Sequence, residues 1–244
     1  MTILLLQMSE KFFDIYLEFS FTKLNLSAFD QLNGKLEHYK EKEYKFYFNN
    51  FKDLNFNELQ KFVEENILEL EKSIGVFIKD VYLIIETPQS ITIELSVMKN
   101  NEGQKIIKQD AMYLVQDAKQ QILKSNPDLG IIHIFVEKYI LDNVEYKFLP
   151  LKKKCKNFSI NAKFVCFPKD LLKNFEELFF KQQIIINKFI CSNYVKKFDF
   201  DNNQQNICER SKKIVEGINK QEVVSIPKTI KKTGFFEKLF HFFR

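Results

Sequence analysis

The sequence predicts an α+β fold: a mixed sheet with helices on one side of it. Three observations predict it. Short apolar runs of period two come in pairs, between 12 and 29, between 80 and 97, and between 131 and 166. Three stretches between and after them carry apolar residues at helical spacing. Beyond about residue 198 both periods stop, apart from a short helix expected near 207–218.

Taken in order, FFDIYLEFSFTKLNLSAF (12–29) alternates as two strands around a tight bend, and YKFYF (44–48) is expected to be a third strand. NFNELQKFVEENILELEKSIG follows as a helix. Leu59, Phe62, Val63, Ile67, Leu70 and Ile74 form one stripe, Asn55 with Glu58 makes a capping box, and Gly75 closes it. DVYLIIE (80–86) reads as a buried strand. ITIELSV (91–97) puts Ile91, Ile93, Leu95 and Val97 inward and Thr92, Glu94 and Ser96 outward. A second helix from Asp110 carries Ala111, Leu114, Val115, Ala118 and Ile122 on one face until Pro127 stops it. GIIHIFVEKYIL is the next strand. In FSINAKFVCF, Phe158, Ile160, Ala162, Phe164 and Cys166 share a face. Pro168 opens a third helix with Leu171, Leu172, Phe175, Leu178 and Phe179 at helical spacing, and IIINKFICS is the last strand.

With 244 residues and 45% apolar content the chain can bury a core of one or two domains. The net charge of +5 is spread through interleaved Lys and Glu, and the rings sit at core periods with little arginine between them, so no nucleic-acid partner is expected. The four cysteines show no C-x-x-C spacing and read as reduced thiols, with Cys166 and Cys191 filling the core from neighbouring strands. His38, His133 and His241 are far apart, which leaves no metal or other cofactor to expect, and His133 among isoleucines reads as a packed, hydrogen-bonded side chain. Glu64–Glu65 and Glu176–Glu177 read as exposed helix charges, so no catalytic residue is assigned and no enzyme is expected. TILLLQM at the start lacks a basic leader and is too short to cross a bilayer.

The stretch from DLGIIHIFVEKYILDN to IIINKFICS resembles the inserted subdomain, called 1C or SHS2, of the FtsA family of bacterial cell-division proteins, which are actin-like. Ile132, His133, Tyr139, Ile140, Leu141 and Asp142, with Pro150 following, carry the likeness most specifically. DAMYLVQDAKQQI resembles the helix that enters that subdomain, and FVEENILELEKSIGVFIKDVYLIIETPQSITIELS the helix and strand before it. The resemblance implies a reduced actin-like (1A-type) portion over 1–107 and an SHS2-like subdomain over 108–198. Actin-like ATPases begin with a D-x-G-T/S-x-K hairpin that closes on phosphates. The matching stretch here is EFSFTK, a degenerate phosphate hairpin: Glu18 for the aspartate, Ser20 for the glycine, Phe21 for the small hydroxyl residue, then Thr22 and Lys23. A Cβ and a phenyl ring there obstruct phosphate, no G-x-G occurs anywhere, and the residues after 198 are too few for a second ATP-binding half. Nucleotide binding is therefore not expected.

Residues 199–233 read as a flexible linker and 234–244 as an amphipathic helix, an arrangement similar to the membrane anchor of FtsA proteins. Phe235, Phe236, Leu239, Phe240 and Phe243 form one face, with Phe242 at its margin and Glu237 and His241 opposite. Lys231, Lys232, Lys238 and Arg244 add attraction to anionic lipid of about 1 kcal/mol each. Lys152, Lys153, Lys154 and Lys156 flank a loop as a candidate partner surface. Together these imply a non-catalytic scaffold or adaptor, peripheral on the cytoplasmic face of the inner membrane. It would bind other cell-division proteins or its own copies, with contact to FtsZ left open. Two alternatives stand beside it: a PilM-like peptide-binding adaptor of a pilus or secretion system, and a nucleotide-binding actin-like remnant.

Overall fold

Residues 12–44, 55–200 and 205–223 are described by a computed structural model. The expected hairpin forms β1 (Phe13–Phe19) and β2 (Lys23–Asp30), but the third strand, β3, is Leu36–Glu43. The strand expected at 44–48 lies, except for Tyr44, outside the described residues. LEHYKEKE hides from pattern reading because it is an edge strand: its inward row of Leu36, His38, Lys40 and Lys42 is only half-buried, and pairing with β2 holds it. Helix α1 (Phe56–Ile74) starts where Asn55 accepts from the N–H groups of Asn57 and Glu58, and ends at Gly75, whose φ of 75° is the left-handed cap that glycine takes without strain. Then come β4 (Asp80–Ile85), β5 (Ile91–Asn100), α2 (Lys108–Ser125), β6 (Leu129–Leu141), β7 (Val144–Tyr146), β8 (Asn157–Pro168), α3 (Lys169–Phe180), β9 (Ile185–Cys191), α4 (Ser192–Lys197) and α5 (Ile207–Val215).

The strands make two sheets. One is mixed, in the order β3-β2-β1-β4-β9, with β4 and β9 parallel to β1. The other is antiparallel, in the order β5-β8-β6-β7. The α+β class holds, while the division of the chain at 107 and 198 does not follow the sheets. The chain leaves the first sheet after β4, builds the second from β5 to β8, and returns at Pro168 to lay α3 and β9 on the first. One consequence corrects the cysteine reading: Cys166 is in the second sheet and Cys191 in the first, so they are not on neighbouring strands. Both are buried free thiols, and burial pushes the Cys166 thiol up to about 11.

Period two on β1 explains the layering. Ile15, Leu17 and Phe19 point to the side where α1 and α3 add Leu59, Val63, Phe175 and Phe179, joined by Phe135, Val165 and Phe167 from the second sheet. Tyr16 points the other way, with Phe29, Ile84 and Ile190, toward α4 and α5. The second sheet keeps α2 against one face, where Leu114, Ala118 and Ile122 meet Phe158, Ile160 and Phe164.

Helices therefore cover both faces of the first sheet, and the second layer comes from the segment expected to be a linker. Over 205–223 that expectation is corrected. Asn206 caps α5 in a reciprocal box with Glu209, both bonds 2.9 Å, and Cys208 and Ile214 are fully buried among Tyr16, Val195 and Phe200. The helix is short and amide-rich, and only three of its residues are buried, so its stripe was too brief to read as a packed element. The rest of 199–233 and the helix expected over 234–244 lie, apart from Asp199 and Phe200, outside the described residues. Among the described residues no helix is long and apolar enough to cross a membrane.

If α5 is part of the core, Ile214→Ala should cost about 2–4 kcal/mol in urea unfolding. A loss under about 0.5 kcal/mol, the level of an exposed site, would restore the linker reading.

Candidate functional site

The carboxyl ends of parallel strands are where sheets of this kind gather ligands. Here β1, β4 and β9 end together at Phe19, Ile85 and Cys191, in register. The hairpin residues sit at that edge and turn inward on each other. Glu18 is 3% exposed; its two carboxylate oxygens accept from Asn25 Nδ2 at 2.6 Å and from Ser192 Oγ at 3.0 Å. Burial pushes the Glu18 carboxyl above the ordinary range, against the pull of those two bonds and of Lys196. Ser20 closes the bend itself: its Oγ donates to Lys23 O at 2.9 Å and accepts from Lys23 N at 3.1 Å and Thr22 N at 3.4 Å. Phe21 packs against the core beneath. The Lys23 ammonium turns outward to Glu41 at 2.6 Å. Beside them Lys196 pairs with Glu86 at 2.5 Å. Glu18, Ser20 and the Lys23 ammonium are thus each engaged with neighbouring groups of the protein.

The lysine cluster lies in the loop before β8, where the Lys152 N–H donates to Ile106 O and the Ile106 N–H to Lys153 O. Lys153 sits 4.4 Å over the Tyr146 ring and 3.2 Å from its hydroxyl, and Lys152 takes a φ of 66°. The N–H groups of Lys156 and Asn157 donate to the Asp142 carboxylate, and the side chains of Lys152, Lys154 and Lys156 are exposed. The residues that carried the family resemblance prove to be structural in the same way. Asp142 and Asn143 have φ of 46° and 71°, the two-residue turn that joins β6 to β7. Tyr139 stacks on Phe158, and His133 is buried.

His133 leads to the arrangement that sequence reasoning did not find. Past the left-handed Gly217, residues 219–223 cross from α5 to β6 and continue its edge. Val223 N donates to Ile134 O at 2.8 Å and Val136 N to Gln221 O at 2.9 Å, so that Glu222 bridges Phe135 as a strand residue would. This delivers the Glu222 carboxylate between the two sheets. Its Oε1 meets His133 Nδ1 at 2.8 Å and the Lys188 ammonium of β9 at 3.2 Å; its Oε2 accepts from the Tyr194 hydroxyl of α4 at 2.9 Å. Tyr194 in turn accepts from Asn219 at 2.9 Å. His133 Nε2 accepts from the backbone N–H of Cys191 at 3.0 Å, so Nδ1 carries the proton and the ring is neutral. Burial pushes the His133 imidazole down against the pull of Glu222. Burial pushes the Glu222 carboxyl up, but His133, Lys188 and Tyr194 together hold it below the ordinary range.

Nothing in QEVV announced this, since a lone glutamate in a polar stretch carries no period. The one signal was the buried-looking histidine, whose partner lies 89 positions away. Among the described residues no group of His, Cys, Asp and Glu side chains could hold a metal ion. The membrane-binding residues expected at Lys231, Lys232, Phe235, Phe236, Lys238, Leu239, Phe240, Phe242, Phe243 and Arg244 lie outside the described residues.

No family model and no curated protein matches this chain. Solved structures do. The chain is similar to a structure of the PilM–PilN type IV pilus biogenesis complex, at a TM-score of 0.50 and 10% identity over 75% of this chain and 48% of that one. It also aligns with a Bacteroides thetaiotaomicron protein with an actin-like ATPase fold, at a TM-score of 0.35, 11% identity and 75% and 53% coverage. The third is the cytoplasmic domain of EpsL, an inner-membrane component of the type II secretion system of Vibrio cholerae, at a TM-score of 0.34, 8% identity and 76% and 57% coverage. At such identity the PilM–PilN likeness speaks for the fold, and the chain spans about half the length of that structure's chain.

Glu222→Ala should cost about 2–3 kcal/mol, because it strips the acceptor from a buried histidine and the counter-charge from a partly buried ammonium. Since the folded chain keeps His133 neutral while the unfolded chain protonates it near the ordinary value of about 6.5, stability should fall as pH drops from 7.5 to 5.5. Urea unfolding at both pH values should show that loss in the wild type and a much smaller one in His133→Gln; equal losses would remove the histidine from the account.

Proposed function

We propose that this chain is a non-catalytic, protein-binding adaptor of actin-like build, serving a pilus or secretion assembly at the cytoplasmic face of an inner membrane. The observation that carries the reading is the state of the carboxyl edge. Glu18 is held by the Asn25 amide and the Ser192 hydroxyl where a phosphate and its cation would be held, and Ser20 fills the bend with its own hydrogen bonds. A body of this fold with that edge engaged can still offer surface and cleft to another chain. The strand-like seating of residues 221–223 beside β6 illustrates the capacity: this body holds an extended segment by backbone pairing and fixes it through one side chain. Likeness of fold to the PilM–PilN complex supports the pilus or secretion setting. The Phe-rich, lysine-flanked end of the sequence supports the membrane surface as its place of work.

A scaffold in cell division is the second reading, favoured by the sequence likeness over 131–150. Its specific residues are spent on the fold: His133 on Glu222, Tyr139 on Phe158, Asp142 on the turn after β6. They therefore argue for the shared architecture more than for division.

The readings separate in solution. The purified chain of residues 1–244 should bind a labelled PilN-type protein of the same organism saturably in fluorescence anisotropy, ignore FtsZ, and give no heat with Mg-ATP at millimolar concentration. Micromolar ATP binding without PilN-type binding would overturn the proposal, and binding of FtsZ alone would move the chain to division.

A further inference from the structure

The edges of the two sheets are not treated alike. β3 is guarded by charge: Lys40 and Lys42 both pair with Glu69, and Glu41 with Lys23. β6 is covered by β7 over 139–141 and by residues 221–223 over 134–136. β9 closes at its end onto His133. β5 has none of these protections. It runs ten residues, pairs with β8 residue for residue without a bulge, and contains no proline. Among the described residues, none hydrogen-bonds to the backbone on its other side. It carries two charges over its ten residues where β3 carries five over eight, Glu94 with Lys163 at 3.7 Å and Lys99 with Asp110, so the guard of charge is thin. Its inward row is unfinished as well, with Ile91 44% exposed and Ile93 and Leu95 only half-buried beside the α2 core.

We propose that β5 is a homotypic pairing edge: two copies of this chain join β5 to β5 antiparallel about a twofold axis through Leu95. The two four-stranded sheets then become one of eight strands. This goes beyond the adaptor reading and does not depend on it. Charge and apolar pattern select the partner and the register. A twofold axis normal to the sheet keeps inward residues facing inward residues, so opposed positions must share parity. Centring on Glu94 would set carboxylate against carboxylate. Centring on Ser96 would set Lys99 against Ile93 and Glu94 against Met98. Centring on Leu95 sets Leu95 against itself, Ile93 against Val97, Glu94 against Ser96 and Thr92 against Met98. The apolar row is then continuous from Ile93 to Val97, Lys99 meets Ile91 only at the two ends, and each Glu94 keeps its Lys163 behind it, so the centre of the strand is complementary to itself.

Analytical ultracentrifugation of the full chain from 1 to 300 μM tests this. The wild type should show a concentration-dependent dimer. Thr92→Lys with Met98→Lys, both exposed positions, should set lysine against lysine and weaken the dimer at least tenfold. Thr92→Glu with Met98→Lys should restore it by setting glutamate against lysine. A wild type that stays monomeric throughout would overturn the proposal. So would a dimer that the double-lysine variant leaves intact, or one that disappears only when residues 224–244 are removed, which would assign the pairing to that segment.

Discussion

A carboxylate buried between two sheets is expensive to desolvate, and a fold keeps one only where every lone pair can be met. Glu222 is met from three directions: by the imidazole of the second sheet, by the ammonium of the first sheet's last strand, and by the phenol of the helix after it. The geometry of that contact sets several others. His133 can bond Cys191 through Nε2 only if its other nitrogen donates, and Glu222 is what it donates to. Tyr194 can present its hydroxyl only with its ring lodged against His133 and Phe135, at centroid distances of 4.8 Å to each. The segment that brings Glu222 must pair with β6, which requires α5 to be seated on the first sheet just before it. Parts of the chain far apart in sequence thus meet at one charge.

The same economy governs the carboxyl edge of the first sheet. Glu18 is the less comfortable of the two buried carboxylates. It has two neutral donors and no cation in contact, so burial raises its proton affinity, whereas Glu222, with an ammonium at 3.2 Å, stays ionised. One glutamate is placed where ligand chemistry occurs in sheets of this kind, but it is tied down by Asn25 and Ser192. The other joins two layers. Both serve cohesion, while the lysines around the β7 loop and, among the described residues, the outer edge of β5 stay exposed.

How far the sequence revealed this depends on how each element earns its stability. Helix α1, helix α2 and strand β8 were legible because each buries a long stripe: Leu59 to Leu70, Ala111 to Ile122, and Phe158 to Cys166 fall where their periods put them. Strand β3 was missed because an edge strand of alternating charge is held by its neighbour and leaves no apolar row to read. Helix α5 was noticed only as a break in a polar tract, since two turns bury too little to show a period. The exchange of β5 and β9 between sheets is a matter of topology, invisible to any local pattern. The hairpin residues Glu18 to Lys23 were placed correctly along the chain, but their partners Asn25 and Ser192 were found only in three dimensions.

The claim on which the account rests is that residues 219–223 are part of the folded body, fixed across both sheets by Glu222. Native-state hydrogen exchange read at single amides addresses it directly. The account predicts that the Val136 and Val223 amides, which donate to Gln221 and Ile134, exchange only through global opening, with protection matching that of the β1 amides. Exchange of Val223 at the rate of an unstructured peptide, with β1 still protected, would contradict it.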